Sequence, residues 1–204
     1  MSGLFDNEPL APVSIVGNDI TLIQNANLGR NYDELLEELI VDTPWRQEEI
    51  TLFGKTMLQP RLIAWYADAG VSYSYSGTRL RPLPWSETLL DLRRRIEAVA
   101  GHSFNSVLLN YYRDQHDSMG LHSDDEPELG VQPVIVSLTL GAKRSFQLKN
   151  RFKRELPVLS LPLPAGSLLI MRGNSQHDWR HGLPKSRQAC GARVNLTFRR
   201  TGVE

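Results

Sequence analysis

The chain has 204 residues, of which 41% are apolar, and this is enough for one substantial core or for one core with a smaller lobe. Its 23 basic and 23 acidic residues cancel, and the single cysteine, Cys190, excludes an internal disulfide bond and a thiolate zinc cluster. Because the chain holds no apolar run of about 18 residues and its first residues lack a secretory pattern, we predict a cytoplasmic protein without a membrane segment.

The balanced net charge hides an uneven distribution along the chain. Thirteen lysines and arginines lie between residues 143 and 200, where the only acidic residues are Glu155 and Asp178. Positive charge gathered in this way indicates a phosphate-bearing partner, although a solvated surface is the commoner explanation for any single basic run. The charge alone leaves both interpretations open.

Two helices are predicted in the first half of the chain. After an irregular or short-stranded entry over residues 1–30, the apolar spacing follows a helical period, with Asn31 as the N-cap. A second helix begins after Ser86 and ends at Gly101, a residue type that closes many helices. We therefore expect residues 1 to about 100 to form a helical support.

The second half of the chain changes to short segments with the composition of β-strands. Turns rich in Gly, Pro and Asn separate these segments, as in a β-sandwich or a jelly-roll barrel. The predicted strands are residues 106–112, 133–140, 145–149, 157–162, 166–171 and 193–198. We predict a single domain of the α+β class, in which residues from about 101 to 204 form a jelly-roll catalytic core.

A polar segment in the second half carries two side chains with the chemistry of metal ligands. His122 and Asp124 are two residues apart, so in an extended segment both emerge on the same face. Either His177 or His181 can supply a third ligand, and spacing alone does not choose between them. Two histidines and one carboxylate leave three positions open on a ferrous ion for cosubstrate and dioxygen. The set predicts a non-haem Fe(II) oxygenase, whereas an isolated His-x-Asp more often belongs to a surface loop.

The strand near the end of the chain alternates polar with apolar side chains. Its polar side carries Arg193, Asn195, Thr197 and Arg199. The α-carbons of the two arginines lie about 20 Å apart, and their long side chains can lean together until a five-carbon dicarboxylate fills the remaining gap. Guanidinium groups pair with carboxylates through two hydrogen bonds. The alternative is an edge strand with its arginines in solvent, which the position just after the histidines disfavours.

The segment from Asn110 to Arg199 resembles the AlkB family of Fe(II)- and 2-oxoglutarate-dependent dioxygenases. The resemblance rests, in this order, on Asn110-Tyr-Tyr112, His122-Ser-Asp-Asp-Glu126, Trp179-Arg-His-Gly-Leu-Pro184 and Arg193-Val-Asn-Leu-Thr-Phe-Arg199. In that family the distal metal histidine precedes the first arginine of the closing strand by twelve positions, which selects His181 over His177. The resemblance implies a double-stranded β-helix, that is, a jelly roll.

The resemblance also implies the roles of individual residues. The metal ligands, which are also the catalytic residues, would be His122, Asp124 and His181. The residues that hold 2-oxoglutarate would be Asn110, Tyr112, Arg193, Asn195, Thr197 and Arg199. Within this group Arg193 would bind the distal carboxylate, and Arg199 would lie nearer the metal. The cofactor set is then Fe(II) with 2-oxoglutarate and dioxygen as cosubstrates.

The first half of the chain resembles the DNA-repair branch of the same family. The matching segments are Leu52-Phe-Gly-Lys55, Gln59-Pro-Arg61, Tyr66-Ala-Asp-Ala-Gly70, Tyr73-Ser-Tyr-Ser-Gly77 and Pro82-Leu-Pro-Trp85. In that branch the aromatic segment forms a lid over a flipped base, and the Phe-Gly-Lys turn offers an apolar wedge. The implied substrate-binding residues are Phe53, Gly54, Lys55, Tyr73, Tyr75, Ser76, Asp125 and Glu126.

The activity that this resemblance implies is oxidative demethylation of N-alkylated bases, such as 1-methyladenine and 3-methylcytosine in DNA. Decarboxylation of 2-oxoglutarate to succinate accompanies the release of formaldehyde. The expected partner is nucleic acid, DNA with alkylated bases above all, and the expected state is a monomer. The same iron chemistry on RNA, protein or a small molecule is an alternative, and a nonenzymatic nucleic-acid-binding barrel is another.

Overall fold

The computed structural model describes residues 11–52, 55–71, 73–75, 78–80 and 82–202, and for residues 51, 52, 55, 73–75 and 78–80 it describes the backbone alone. Within these ranges the chain forms fifteen strands and three α-helices. Most of the strands build two antiparallel sheets that pack face to face. A bilayer-spanning helix is absent from the described ranges, since no helix there combines sufficient length with sufficient apolarity.

The larger sheet has seven strands, and each of its neighbouring pairs is antiparallel. Their spatial order is β1 (Val13–Val16), β2 (Ile20–Ile23), β13 (Leu168–Met171), β10 (Ile135–Gly141), β15 (Arg193–Arg199), β8 (Ser106–Tyr112) and β5 (Leu62–Ala67). All seven residues of β15 are buried. Because side chains alternate along a strand, the apolar residues of β15 face one side of the sheet and its polar residues face the other.

The smaller sheet covers the polar side of β15. Its strands, in spatial order, are β12 (Leu159–Leu163), β11 (Arg144–Asn150), β14 (Trp179–Leu183) and β9 (Met119–His122). Phe146 and Leu148 of this sheet share a buried core with Ile135 and Leu169 of the larger one. The polar side of β15 therefore faces the space between the two sheets rather than bulk water.

Two helices cover the outer face of the larger sheet, and both begin where the sequence predicts; the second also ends at the predicted residue. The side chain of Asn31 caps α1 (Tyr32–Asp42), and the side chain of Ser86 caps α2 (Glu87–Ala100). Gly101 closes α2 with a φ of 63°, a left-handed conformation that glycine adopts without strain. The apolar faces of the two helices pack against Val194, Leu196 and Phe198.

The first half of the chain contributes strands as well as the expected helices. Strands β1, β2 and β5 belong to the larger sheet, so the sandwich draws on residues before 101. Two separate hairpins consist of β3 (Glu49–Leu52) with β4 (Lys55–Leu58) and of β6 (Tyr73–Tyr75) with β7 (Thr78–Leu80). β1 and β2 lie in the segment for which an irregular or short-stranded entry is predicted, whereas β3 to β7 are not predicted, because strands of three to six residues carry too few side chains for a clear alternation.

All six strands predicted in the second half are present, with bounds within two residues of those expected. The sequence missed β9 and β14, two short strands that contain glycine or charged residues. It also missed a helical turn, α3 (Ser175–Asp178), and a 3-10 turn at Pro127–Leu129. The predicted α+β class with a jelly-roll sandwich is confirmed.

Candidate metal centre and cosubstrate pocket

Two neighbouring strands of the smaller sheet bring two histidines together. β9 and β14 pair in a register that places His122 directly opposite His181, with ring centroids 4.3 Å apart. Asp124 follows β9 by two residues, and ligand atoms of the three side chains lie within 4.8 Å of one another. Among the residues that the structure describes, this is the one cluster of three or more such side chains.

Asp124 is fully buried and keeps one carboxylate oxygen without a partner. Its Oδ2 accepts hydrogen bonds from Nη2 and Nε of Arg199 at 2.8 and 3.2 Å. Its Oδ1 lies 3.6 Å from Nε2 of His122 and has no hydrogen-bond partner in the described part of the chain. Burial alone would raise the pKa of Asp124, but the charge of Arg199 holds this pKa well below its ordinary value. An ionised buried oxygen of this kind is costly unless a cation binds it.

The two histidines present ring nitrogens of the kind that metals bind. Nδ1 of His122 lies 2.9 Å from the carbonyl oxygen of Gly120, so Nδ1 carries the proton and Nε2 is left with its lone pair. His181 is buried against the ring of Phe146, with 5.5 Å between the ring centroids. Burial lowers the pKa of His181 to about 3. His181 is therefore uncharged near pH 7, as metal coordination requires.

These observations fit a ferrous ion. Two neutral imidazoles and one carboxylate are the donor set that leaves open positions on non-haem Fe(II). The unpartnered Oδ1 of Asp124 gives the ion a binding atom that has no other use in the described structure. All three side chains line one cavity, so the open positions would face that cavity. Their role as ligands remains a prediction from this geometry.

His177, the alternative third ligand, lies apart from the cluster. It belongs to α3, its side chain is 71% exposed, and its Nδ1 pairs with Oδ1 of Asp178 at 2.6 Å. Spacing alone does not choose between the two histidines, but the structure separates them, because His177 lies in the helical α3 and His181 lies in β14, which begins only at Trp179. The structure thus brings His181, and not His177, to His122 and Asp124.

We expect His177→Ala to bind Fe(II) with an affinity within about twofold of the unaltered chain, because an exposed side chain outside the cluster supplies no ligand. Anaerobic titration with Fe(II) measures this affinity. His181→Ala is the matched comparison and should weaken Fe(II) binding by about 100-fold or more. If His177→Ala lost iron while His181→Ala kept it, the third ligand would be His177.

The same cavity contains every residue predicted to bind 2-oxoglutarate. Strands β8 and β15 pair so that Asn110 lies opposite Asn195 and Tyr112 lies opposite Arg193. Paired residues on neighbouring strands point to the same face of a sheet. The cavity is lined by His122, Asp124, His181, Asn110, Tyr112, Arg193, Asn195, Thr197 and Arg199, together with apolar side chains such as Leu108, Phe146 and Leu183.

Arg193 is a buried cation without a carboxylate partner in the described structure. Its Nη2 donates to Oγ1 of Thr139 at 2.9 Å and to Oδ1 of Asn195 at 3.0 Å, and its Nε is buried without an acceptor. Its guanidinium carbon lies 5.3 Å from the ring centroid of Tyr112. Burial lowers the pKa of Arg193 to about 10, so the side chain is still charged near pH 7. Such a group calls for an anionic ligand, and a dicarboxylate supplies one.

Arg199 faces the metal centre more directly than expected. Its guanidinium pairs with Asp124, so it balances the charge of this carboxylate and fixes its orientation. Arg199 also lines the cavity, and its contact with 2-oxoglutarate remains a prediction.

Two further side chains orient the site and were not assigned a role from the sequence. The side-chain oxygen of Gln176 accepts a hydrogen bond of 2.9 Å from the backbone amide of Asp124. Nε of Arg61 donates to Oδ1 of Asn110 at 2.8 Å, which leaves the amide nitrogen of Asn110 for the cavity. No local pattern marks Gln176, whereas Arg61 stands within the Gln59-Pro-Arg61 segment used above for the family resemblance.

Arg144 connects the ends of the two strands that carry the histidines. Its guanidinium donates to the carbonyl oxygens of Asp114 and Asp117, in the loop before β9, and of Pro184, just after β14, at 2.7 to 3.0 Å. These bonds hold the two strand ends together from inside the sandwich, where Arg144 is buried.

We expect Arg144→Leu to lower the free energy of unfolding by about 2–4 kcal/mol, because three buried carbonyl groups lose their donor. Denaturant titration followed by circular dichroism measures the change. Arg187→Leu, at an exposed arginine of the same charge, should change it by less than about 0.5 kcal/mol. Equal stability of the two variants would show that the three carbonyl bonds contribute nothing net.

The predicted substrate-binding residues are only partly within the described structure. Phe53, Gly54 and Ser76 lie outside the described residues, and for Lys55, Tyr73 and Tyr75 the backbone alone is described, in β4 and β6. Asp125 is exposed and pairs with Arg151 at 3.1 Å, and Glu126 is half-buried just before the 3-10 turn. The substrate role of all eight remains a prediction.

Comparison with known proteins points to the same protein family as the sequence motifs. The family model described as the 2OG-Fe(II) oxygenase superfamily matches residues 19–199. The alpha-ketoglutarate-dependent dioxygenase alkB homolog 3 of Rattus norvegicus is 45% identical over 175 residues, which cover 82% of this chain and 59% of that protein. The DNA oxidative demethylase ALKBH2 of Homo sapiens is 38% identical over 177 residues, which cover 82% of this chain and 68% of that protein.

A solved structure supports the fold. The crystal structure of an oxidoreductase of the 2OG-Fe(II) oxygenase family from Burkholderia pseudomallei superposes with a TM-score of 0.60 at 17% identity, over 92% of this chain and 87% of that one. The family match in sequence confirms Fe(II) as the cofactor and 2-oxoglutarate and dioxygen as the cosubstrates, since the matching family is defined by them. On the sequence match and the fold together, this chain belongs to the 2OG-Fe(II) oxygenase superfamily and, within it, to the AlkB family.

Proposed function

We propose that this chain catalyses the oxidative demethylation of N-alkylated bases in nucleic acid, such as 1-methyladenine and 3-methylcytosine in DNA. The observation that carries the proposal is that Arg193, which has no carboxylate partner in the described structure, lines the same cavity as His122, Asp124 and His181. The chain is also 38% identical to a DNA oxidative demethylase. The chain spans about three fifths of the length of the first relatives it matches, so their activity is carried over as a proposal.

Each part of the site has a separate task in this reaction. When bound, ferrous iron would supply the activation of dioxygen; one oxygen atom would enter succinate as carbon dioxide leaves, and the other would oxidise the N-methyl carbon, which would depart as formaldehyde. His122, Asp124 and His181 would hold the ion, and Arg193 would pair with the distal carboxylate of 2-oxoglutarate. Arg199 keeps Asp124 ionised, and Phe146 packs on the buried ring of His181.

The base must leave its stack to reach this cavity. A methyl group on a ring nitrogen of a paired base is inaccessible within a duplex, and a damaged base that pairs poorly costs less to flip. Phe53 would fill the gap, while Tyr73 and Tyr75 would stack on the base. A carboxylate at Asp125 or Glu126 would favour a cationic methylated base over its neutral parent. The proposal keeps DNA as the partner, a monomer as the active state and a cytoplasmic location.

The test begins with anaerobic reconstitution with Fe(II) and 2-oxoglutarate. Air is then admitted in the presence of singly methylated DNA and RNA oligomers or of a methylated peptide, and formaldehyde and succinate are measured. We expect equal amounts of both products from DNA that contains 1-methyladenine or 3-methylcytosine. If only RNA or only the peptide released formaldehyde, the substrate would be RNA or protein instead of DNA. If the chain bound DNA but formed no succinate, it would be a nonenzymatic nucleic-acid-binding barrel.

A further inference from the structure

A fixed turn beside the metal centre presents an aromatic ring to solvent. In the turn that follows β11, Phe152 is 62% exposed. Oδ1 of Asn150 accepts hydrogen bonds from the backbone amides of Phe152 and Lys153 at 3.0 and 2.8 Å, and these bonds hold the turn in one conformation. A single exposed ring is common on protein surfaces, so its surroundings decide what it can do.

The surroundings of this ring are cationic. We refer to Lys149, Arg151, Phe152, Lys153, Arg154 and Arg180 as the aromatic–basic turn. Arg151 pairs with Asp125, but the other four cations form no ion pair with any described residue. Glu155 and the Asp178–His177 pair are the acidic groups that accompany them. The aromatic–basic turn therefore keeps a clear excess of unpaired positive charge.

Two of these cations are arranged unfavourably for the protein alone. Lys149 of β11 and Arg180 of β14 are direct partners in the register of the smaller sheet, and both are exposed. Like charges opposite each other on one face of a sheet destabilise the pairing. A polyanion bound across this face would remove the repulsion, so the arrangement fits a phosphate-bearing partner.

The aromatic–basic turn is attached to the metal centre on two sides. Arg151 contacts Asp125 at 3.1 Å, and Asp125 directly follows Asp124. The ring of Phe152 lies 5.2 Å from that of His177, and His177 directly follows Gln176, whose side chain binds the amide of Asp124. A strand with one base in the cavity would therefore have its neighbouring nucleotides within reach of the turn.

We propose that the aromatic–basic turn binds single-stranded nucleic acid beside the base in the cavity, with an unpaired base stacked on Phe152 and the flanking phosphates on the surrounding cations. Stacking on aromatic side chains within a basic surface is how proteins hold single strands without reading their sequence. A duplex hides the faces of its bases, so a ring that stacks favours an unpaired strand. This inference rests on the proposed function.

Binding of unmethylated oligomers tests the inference without any turnover. The probe is a fluorescein-labelled single-stranded DNA of about 15 nucleotides, titrated with the full chain and followed by fluorescence anisotropy. Phe152→Ala and Phe152→Leu should weaken binding about tenfold or more, because neither side chain stacks on a base. Phe152→Trp should bind at least as well as the unaltered chain, which would separate stacking from mere apolar contact.

A matched control lies on the other side of the molecule. Val41 is 79% exposed on α1, which packs on the outer face of the larger sheet, so Val41→Ala should leave binding within about twofold. The double variant Lys153→Ala and Arg154→Ala should weaken binding and reduce the slope of log affinity against log salt by about 1.4, two charges at about 0.7 each.

The outcomes that would overturn the inference are equally specific. Stacking would be excluded if Phe152→Ala bound the single-stranded DNA as tightly as the unaltered chain. It would also be excluded if Phe152→Trp lost as much affinity as Phe152→Ala. An equal loss on duplex DNA would exclude a preference for unpaired strands. If no methylated oligomer released formaldehyde while these binding differences remained, the proposed function would fail and the nucleic-acid surface would stand.

Discussion

Asp124→Asn is expected to abolish measurable 2-oxoglutarate turnover and to weaken Fe(II) binding by about 100-fold or more. The substitution keeps the size of the side chain but removes the negative charge from the buried, unpartnered Oδ1. It also removes the charge that balances Arg199 within hydrogen-bond distance. Succinate formation without nucleic acid and anaerobic titration with Fe(II) measure the two effects.

The neighbouring carboxylate provides the control for this prediction. Asp125 is exposed and pairs with Arg151, so Asp125→Asn should keep Fe(II) affinity within about twofold. Because the change at Asp124 leaves a buried guanidinium without its counter-charge, circular dichroism must first show that Asp124→Asn is folded at the assay temperature. A folded Asp124→Asn that binds Fe(II) normally would remove Asp124 from the metal centre.

The closing strand shows how much of the site could be predicted from the sequence. Alternation from Arg193 to Arg199 indicates one polar and one apolar face, and the structure has both, with Val194 and Leu196 under the helices. Alternation along a strand depends only on local geometry, so it is visible in a single sequence. The polar face could equally have pointed to water, and only the smaller sheet above it turns that face into a cavity.

The remaining features depend on contacts between distant parts of the chain. His181 lies opposite His122 through a strand pairing that spans about sixty residues, and neither strand was predicted. Gln176 and Arg144 form hydrogen bonds with backbone groups of other segments. Because every residue carries such backbone groups, the sequence of those segments does not reveal the contacts. Spacing alone therefore left His177 and His181 open, and only the family resemblance distinguished them before the structure did.

Arg193→Met is expected to raise the KM for 2-oxoglutarate by about 100-fold, with Fe(II) affinity little changed. Removal of one partner from a buried, hydrogen-bonded charge pair costs about 2–5 kcal/mol, because the remaining charge stays buried and unpaired. Replacement of a buried cation by an apolar side chain of similar size is often neutral for stability, so the protein should remain folded. Initial rates of succinate formation over a range of 2-oxoglutarate concentrations measure the effect.

A cosubstrate analogue makes the prediction specific to one carboxylate. 2-Oxopentanoate keeps the keto and adjacent carboxylate groups of 2-oxoglutarate but ends in a methyl group, so it offers Arg193 nothing to bind. The unaltered chain should prefer 2-oxoglutarate strongly, whereas Arg193→Met should lose most of this preference, because its cavity no longer compensates the burial of a second negative charge.

Arg193→Lys should fall between the two, since an ammonium group keeps the charge but not the forked geometry. Arg200→Met, at the exposed arginine just after β15, is the matched control and should keep the preference. An unchanged preference in Arg193→Met would mean that the distal carboxylate is bound by another cation and that the burial of Arg193 has a different cause.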